Sequence, residues 1–166
     1  MPSNGTIAMV APASGVRITV CVPVYNVERY LCECLDSIFS QDYADFDVVM
    51  VDDGSTDGSG AICDEYAARF PQRSFVVHKN NEGLLLARRN GFAQATGDYV
   101  MCVDSDDALV PGALASVAAA VAETGADVVR FGFTREKSEA VPVGSSISFR
   151  FYSAEEKHKM LRALCC

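Results

Sequence analysis

Two groups of carboxylates recur at equivalent places in this 166-residue chain. The first is Asp52-Asp53 within DVVMVDDGSTDGSG, residues 47–60, and the second is Asp104, Asp106 and Asp107 within YVMCVDSDDAL, residues 99–109. Each group ends a run of apolar β-formers and opens into residues that favour turns. Asp, Gly and Ser gather in such places for local hydrogen bonding alone, and Asp107 is read as that kind of turn or capping residue. A lone D-x-D is weak on its own; the recurrence at two strand ends is what raises it. With 104–106 extended, residues two apart point the same way, so Asp104 and Asp106 face one spot across small Ser105. Two hard oxygen donors converging there suit Mg²⁺ or Mn²⁺. Such an ion, keeping open positions, can bridge to substrate phosphates and offset their charge.

The elements that must position these groups are legible from periodicity. RITVCVP (17–23), FDVVMV (46–51), SFVVH (74–78), DYVMCV (98–103) and DVVRFGF (127–133) read as five strands. Between the first two, Leu31, Leu35, Ile38 and Phe39 fall at i, i+4, i+7 and i+8 on one helical face, with Asn26 as the expected N-cap. Ser55 or Thr56 is the expected cap of the next helix, whose core face uses Ile62, Tyr66 and Phe70. Leu84 to Ala95 reads as a third helix. Pro111 suits the first turn of a fourth, which carries Leu114, Val117 and Val121. Tyr30, Tyr66 and Phe70 are read as core, Arg73 and Lys79 as solvated, and His78 and His158 as surface or internally satisfied groups. Strands that alternate with helices imply a mainly parallel sheet covered on both faces. Right-handed crossovers then put every strand-to-helix loop, and both carboxylate groups, on the carboxyl edge, where such folds bind ligands.

Residues 1–15 read as a poorly ordered leader without the pattern of a secretory signal, and 16–134 as the α/β domain. Residues 135–166 read as an extension, with a strand at 147–152 and a short amphipathic helix after it. The chain carries 49% hydrophobic and 22% charged residues, ordinary for a globular domain, and no apolar stretch long enough to span a bilayer. A net charge of −8 argues against nucleic acid as a partner. Seven cysteines without paired C-x-x-C units read as free thiols in a reducing compartment.

Other phosphate chemistries fit less well. No G-x-x-x-x-G-K-[ST] and no G-x-G-x-x-G follows a strand. A phospho-receiver domain would place its acids after the first strand and a Lys after the fifth. A sugar-nucleotide pyrophosphorylase would show a Gly-rich basic loop where this chain has PVYN.

Three stretches in order, VCVPVYNVERYLCECLDSIFSQDYADFDVVMVDDGSTDGSG, NNEGLLLARRNGFAQATGDYV and CVDSDDALVPG, resemble the inverting family 2 glycosyltransferases over residues 17–133. The resemblance implies a GT-A (Rossmann-like) three-layer α/β/α sandwich that binds a nucleotide-diphosphate sugar, most naturally a UDP-sugar, with Mn²⁺ or Mg²⁺. It gives Pro23 and Tyr25 to the nucleobase pocket, with Tyr25 stacking on the base and Asp53 hydrogen-bonding the pyrimidine. Asp52 joins the nucleotide-binding set, with service to the loop as its other reading. Arg88 lies near the nucleotide. Asp106 is the direct metal ligand, and Asp104 contacts the ribose or a metal-bound water. This chain departs from the family's GLSxARNxG by reading GLLLARRNG, with Leu85 for a small Ser and Arg89 where Asn is usual. The family's catalytic base has no match here, since Glu155-Glu156 reads as a solvated face. The chain is therefore expected to be the donor-binding part of a longer cytoplasmic enzyme of polysaccharide or cell-wall synthesis. That enzyme would work at the inner face of the membrane on a carbohydrate or lipid-linked acceptor. The alternatives are a nucleotide-sugar-binding module without turnover, or a receiver-like signalling domain.

Overall fold

The computed structural model describes residues 15–130. Residues 1–14 of the expected leader, the strand at 147–152, the tail helix, Glu155-Glu156, His158, Cys165 and Cys166 lie outside the described residues.

Four strands alternate with four helices. They are β1 (Ile18–Val24), α1 (Glu28–Phe39), β2 (Phe46–Asp52), α2 (Ser59–Arg69), β3 (Ser74–His78), α3 (Leu84–Gln94), β4 (Tyr99–Cys102) and α4 (Ala113–Thr124). All pairings are parallel, in the order β3-β2-β1-β4, so the four strand-to-helix loops share the carboxyl edge. The expected fifth strand is not seen over its described part, 127–130, which carries no strand pairing; 131–133 lie outside the described residues.

Alternation along the strands builds three layers. Ile18, Val20, Val22 and Val24 of β1, with Val48 and Met50 of β2, pack against Leu31, Leu35 and Ile38 of α1, Cys63 and Tyr66 of α2, and Leu114 and Ala118 of α4. The opposite side chains, Val49 and Val51, meet Ala87 of α3. The expected α1 stripe is buried in full, and each such aliphatic side chain contributes about 1.5–3 kcal/mol. Phe39 at its end stacks on Phe70 with ring centroids 4.0 Å apart. Tyr30, expected in the core, is instead 48% exposed beside Arg29, because it lies off the Leu31/Leu35/Ile38 stripe.

Gly91 lets α3 sit directly on the sheet: a Cβ there would lie 2.0 Å from the Cys21 Sγ. Pro23 is tolerated in a central strand for a register reason. Peptide groups alternate between the two neighbouring strands, and Cys21 C=O faces β4 while Val24 C=O faces β2. Pro23 therefore turns its missing donor toward β4, whose pairing has already ended at Cys102.

The helix starts are not capped as expected. The first residue before α1 is Val27, with no side-chain cap, and Asn26 adopts a left-handed φ of 51°. Its Oδ1 accepts from Thr56 N–H at 2.8 Å, while Asn26 N–H donates to Ser55 Oγ at 3.1 Å. Ser55 and Thr56 thus tie the two loops together and do not cap α2, which begins at Ser59. The α1 N-terminus is served across the loops: Val27 N–H donates to Ser59 Oγ and Glu28 N–H to Asp57 Oδ2. Donors left over at a helix start are satisfied by a neighbouring loop as well as by a local cap.

Candidate functional site

The site is assembled on the carboxyl edge from the ends of β1, β2 and β4 and the start of α3. The Asp52-Asp53 pair continues the alternation of β2. Val48 and Met50 face the α1/α2 layer, so Asp52 does too; Val49 and Val51 face α3, so Asp53 does too. Each carboxylate then meets the N-terminal end of a different helix.

Asp52 is buried. Its Oδ1 accepts from Ser55 N–H at 2.9 Å, and its Oδ2 lies 2.9 Å from His78 Nδ1. Gly60, in the first turn of α2, makes room for it, since a Cβ there would come within 2.9 Å of Oδ2. Burial alone would raise its pKa, but the bonds from Ser55 and His78 prevail and hold it below the usual range. His78 also reaches Asp64 with Nε2, at 3.1 Å, and so joins the end of β2 to α2. The expectation of an internally satisfied His78 holds.

Asp53 is 2% exposed. Its oxygens accept from Glu82 N–H at 3.0 Å and Gly83 N–H at 2.7 Å, and from Lys79 Nζ at 2.5 Å. Burial again works to raise its pKa, and these bonds, Lys79 first, bring it below the ordinary value. Lys79, expected in solvent, has a side chain only 12% exposed, because the turn after β3 folds it back over the end of β2. Sequence reading missed it. The signal was its place one residue past a strand end, beside a loop that must close over a buried acid.

The second carboxylate group is a turn and not the expected extended segment. Asp107 N–H donates to Asp104 C=O at 2.9 Å, so the two-apart alternation does not apply at 104–106. Ser105 is buried, while Asp106 and Asp107 are exposed. The turn is held from below by α1 and by Gln41 just after it. Cys34 Sγ donates to Asp104 C=O at 3.6 Å, Leu109 N–H to Ser37 Oγ at 2.9 Å, and Gln41 Nε2 to Val110 C=O at 2.9 Å. Burial, with the acids of the turn, pushes the Cys34 thiol up to about 12, so it stays neutral.

Arg88 of α3 reaches this turn: Nη2 donates to Asp104 Oδ1 at 2.5 Å, and Nε is buried without a partner among the described residues. Arg89, next to it, is exposed. One helix and the loop that leads into it therefore bind both carboxylate groups, Asp53 through the Glu82 and Gly83 N–H groups and Asp104 through Arg88. Tyr25, 49% exposed at the end of β1, stands on the strand between them, and Pro23 is buried two residues before it.

The donor set fits a Mg²⁺ or Mn²⁺ ion only as a shared site. Among the described residues no group of three or more His, Cys, Asp or Glu gathers to hold a metal alone. Asp106 takes no hydrogen bond or ion pair from the described residues, and Asp104 commits one oxygen to Arg88. One or two carboxylates, completed by water and phosphate oxygens, is how such ions bind at phosphate sites.

The family model described as Glycosyl transferase family 2 matches residues 19–164. The chain belongs to glycosyl transferase family 2. It is 50% identical over 91 residues to the glycosyltransferase GlyA of Streptococcus pneumoniae, covering 55% of this chain and 13% of GlyA. The crystal structure of S. aureus TarS 1–349 in complex with UDP-GlcNAc superposes with a TM-score of 0.68 at 34% identity, over 76% of this chain and 37% of that one. The mannosyltransferase PcManGT of Pyrobaculum calidifontis, in complex with GDP-Man and Mn²⁺, gives 0.60 at 33% identity, over 64% and 33%. The chain thus spans well under half the length of each. The fold is the GT-A, Rossmann-like α/β architecture, and the family's reaction is transfer of a sugar from a nucleotide-linked donor. No described helix is long and apolar enough to cross a membrane.

Proposed function

We propose that this family 2 chain binds a UDP-linked sugar at the carboxyl edge of its sheet and serves a metal-dependent, inverting transfer. The observation that carries the reading is α3, whose leading loop binds Asp53 and whose Arg88 binds Asp104, with Tyr25 exposed at the end of the strand between and Asp106 uncommitted among the described residues. In this reading Tyr25 stacks on the base, with buried Pro23 shaping the strand beneath it, and Asp53 accepts from the pyrimidine imide N–H. Arg88 supplies fixed positive charge near the diphosphate. Asp106, with Asp104, holds the Mn²⁺ or Mg²⁺; when bound, that ion offsets the charge on the departing nucleoside diphosphate. Asp52 serves the loop and not the ligand, since it turns to the opposite face of the sheet, toward Ser55 and His78. Two relatives described as complexes with UDP-GlcNAc and with GDP-Man and Mn²⁺ support a nucleotide-sugar donor and the ion.

An inverting transfer also needs a base for the acceptor hydroxyl. In this reading the base and the contacts to a carbohydrate or lipid-linked acceptor lie outside the donor half. The test is selectivity. With Mn²⁺ present, UDP should raise the thermal midpoint more than ADP or CDP, which offer no imide N–H to Asp53. Equal shifts for all three would remove the base-reading role of Asp53.

A further inference from the structure

The ammonium of Lys79 is used up within the protein. Its three protons have three acceptors: Asp53 Oδ1 at 2.5 Å, Asn80 C=O at 2.8 Å and Glu82 Oε2 at 2.7 Å. It therefore has no donor left for a phosphate, although it stands on the ligand-binding edge. What it does serve is a carboxylate that burial would otherwise push toward the neutral form. The other charged groups nearby do not substitute for it. Glu82 is itself acidic and paired to Lys79, Asp52 and His78 engage each other on the opposite face, and Arg88 is committed to Asp104. The remaining donors to Asp53 are two backbone N–H groups of the loop that leads into α3.

We propose that Lys79 is a positioning residue: it keeps Asp53 charged and clasps the 79–83 loop over it, so that the base contact at this edge is kept as pH falls. The proposal rests on the donor-site reading above. A neutral Asp53 would present a hydroxyl in place of an acceptor to one loop N–H or to the base. Both the start of α3 and the base contact would suffer together. An Arg at 79 keeps the charge, whereas a Met keeps only the stem.

The test measures two things on the wild-type chain and on Lys79→Met and Lys79→Arg. The first is the pH titration of the Asp53 carboxyl carbon by NMR, without nucleotide. The second is UDP affinity in Mn²⁺ from pH 5 to 8. The wild-type Asp53 should titrate below the ordinary carboxyl midpoint, and wild-type affinity should follow only the titration of the nucleotide's own terminal phosphate, whose second pKa is about 6. Relative to wild type at the same pH, Lys79→Met should titrate higher and lose affinity roughly tenfold for each pH unit below its raised midpoint; Lys79→Arg should recover the wild-type profile. A wild-type Asp53 that titrates at or above the ordinary value overturns the proposal, whether or not Lys79→Met folds. So does a Lys79→Met loss that is uniform across pH and not rescued by Arg. Failure of the wild type to bind UDP at any pH overturns the donor-site reading instead, and the Asp53 titration still decides the role of Lys79.

Discussion

Replacing Gly91 by Ala probes how closely α3 must sit on the sheet. The added Cβ would lie 2.0 Å from Cys21 Sγ, 3.3 Å from Cys21 Cβ and 3.4 Å from Val51 Cγ2. Non-bonded heavy atoms settle near 3.5–4.0 Å, so α3 must lift by about 1.5 Å or the thiol must turn. Overpacking of this kind costs about 1–3 kcal/mol, and an approach as close as 2.0 Å belongs to the upper part of that range, about 2–3 kcal/mol. Against it, Ala is favoured over Gly within a helix by about 1 kcal/mol. A net loss of about 1–2 kcal/mol should result, or roughly 5 °C in thermal midpoint, measured by urea and thermal unfolding. Because Arg88 rides on the same helix and holds Asp104 at 2.5 Å, a lift of that size also breaks the ion pair, and UDP affinity should fall. Cys21→Ala removes the sulfur that clashes and leaves only the two tight but tolerable contacts. The double variant should therefore recover both stability and affinity, with a coupling of about 1–3 kcal/mol. If Gly91→Ala is as stable as wild type, or its loss is not relieved by Cys21→Ala, the close seating of α3 is wrong.

Three further outcomes follow from the loops. His78 is held above its ordinary pKa by its bond to Asp52 and then by Asp64, so its contribution is complete below about pH 6.5 and is lost as pH rises through its folded-state pKa. The stability gap between wild type and His78→Gln should accordingly narrow between pH 6 and pH 9 in urea titrations. Asn26→Ala, which gives up the Thr56 bond and puts Ala at a positive φ, should cost about 2 kcal/mol, and Asn26→Gly distinctly less. Asp106→Asn should leave the unfolding free energy within about 0.5 kcal/mol of wild type in urea titrations, since the side chain is exposed and unengaged by the described residues.

The layers were readable in the sequence because periodicity reports burial directly. Leu31, Leu35, Ile38 and Phe39 mark the α1 face, and the apolar strands mark a sheet covered on two sides. Phe75, 54% exposed on edge strand β3, shows where that rule weakens. The division of labour between Asp52 and Asp53 was also within reach, since neighbours in a strand face opposite ways, yet adjacency in sequence suggested a single joint site. Contacts between loops were not readable. Asn26 has the composition of a cap, but its left-handed backbone sends its side chain to Thr56. Lys79 has the composition of a solvated residue, but the β3–α3 turn buries it on Asp53. The D-x-D was visible as residue types; its turn, fixed by the Asp107 to Asp104 hydrogen bond and by α1 beneath, was not. Such features depend on which loops the crossovers bring together, and short-range patterning carries none of that information.

The central claim, that this edge holds a nucleoside diphosphate through a metal shared with Asp106, is met most directly by calorimetric titration of UDP into the chain with Mn²⁺ and with a chelator. The account predicts binding that weakens at least tenfold in chelator, and an Asp106→Ala variant that folds normally but binds equally weakly in both. Affinity indifferent to Mn²⁺, or unchanged in Asp106→Ala, would contradict it.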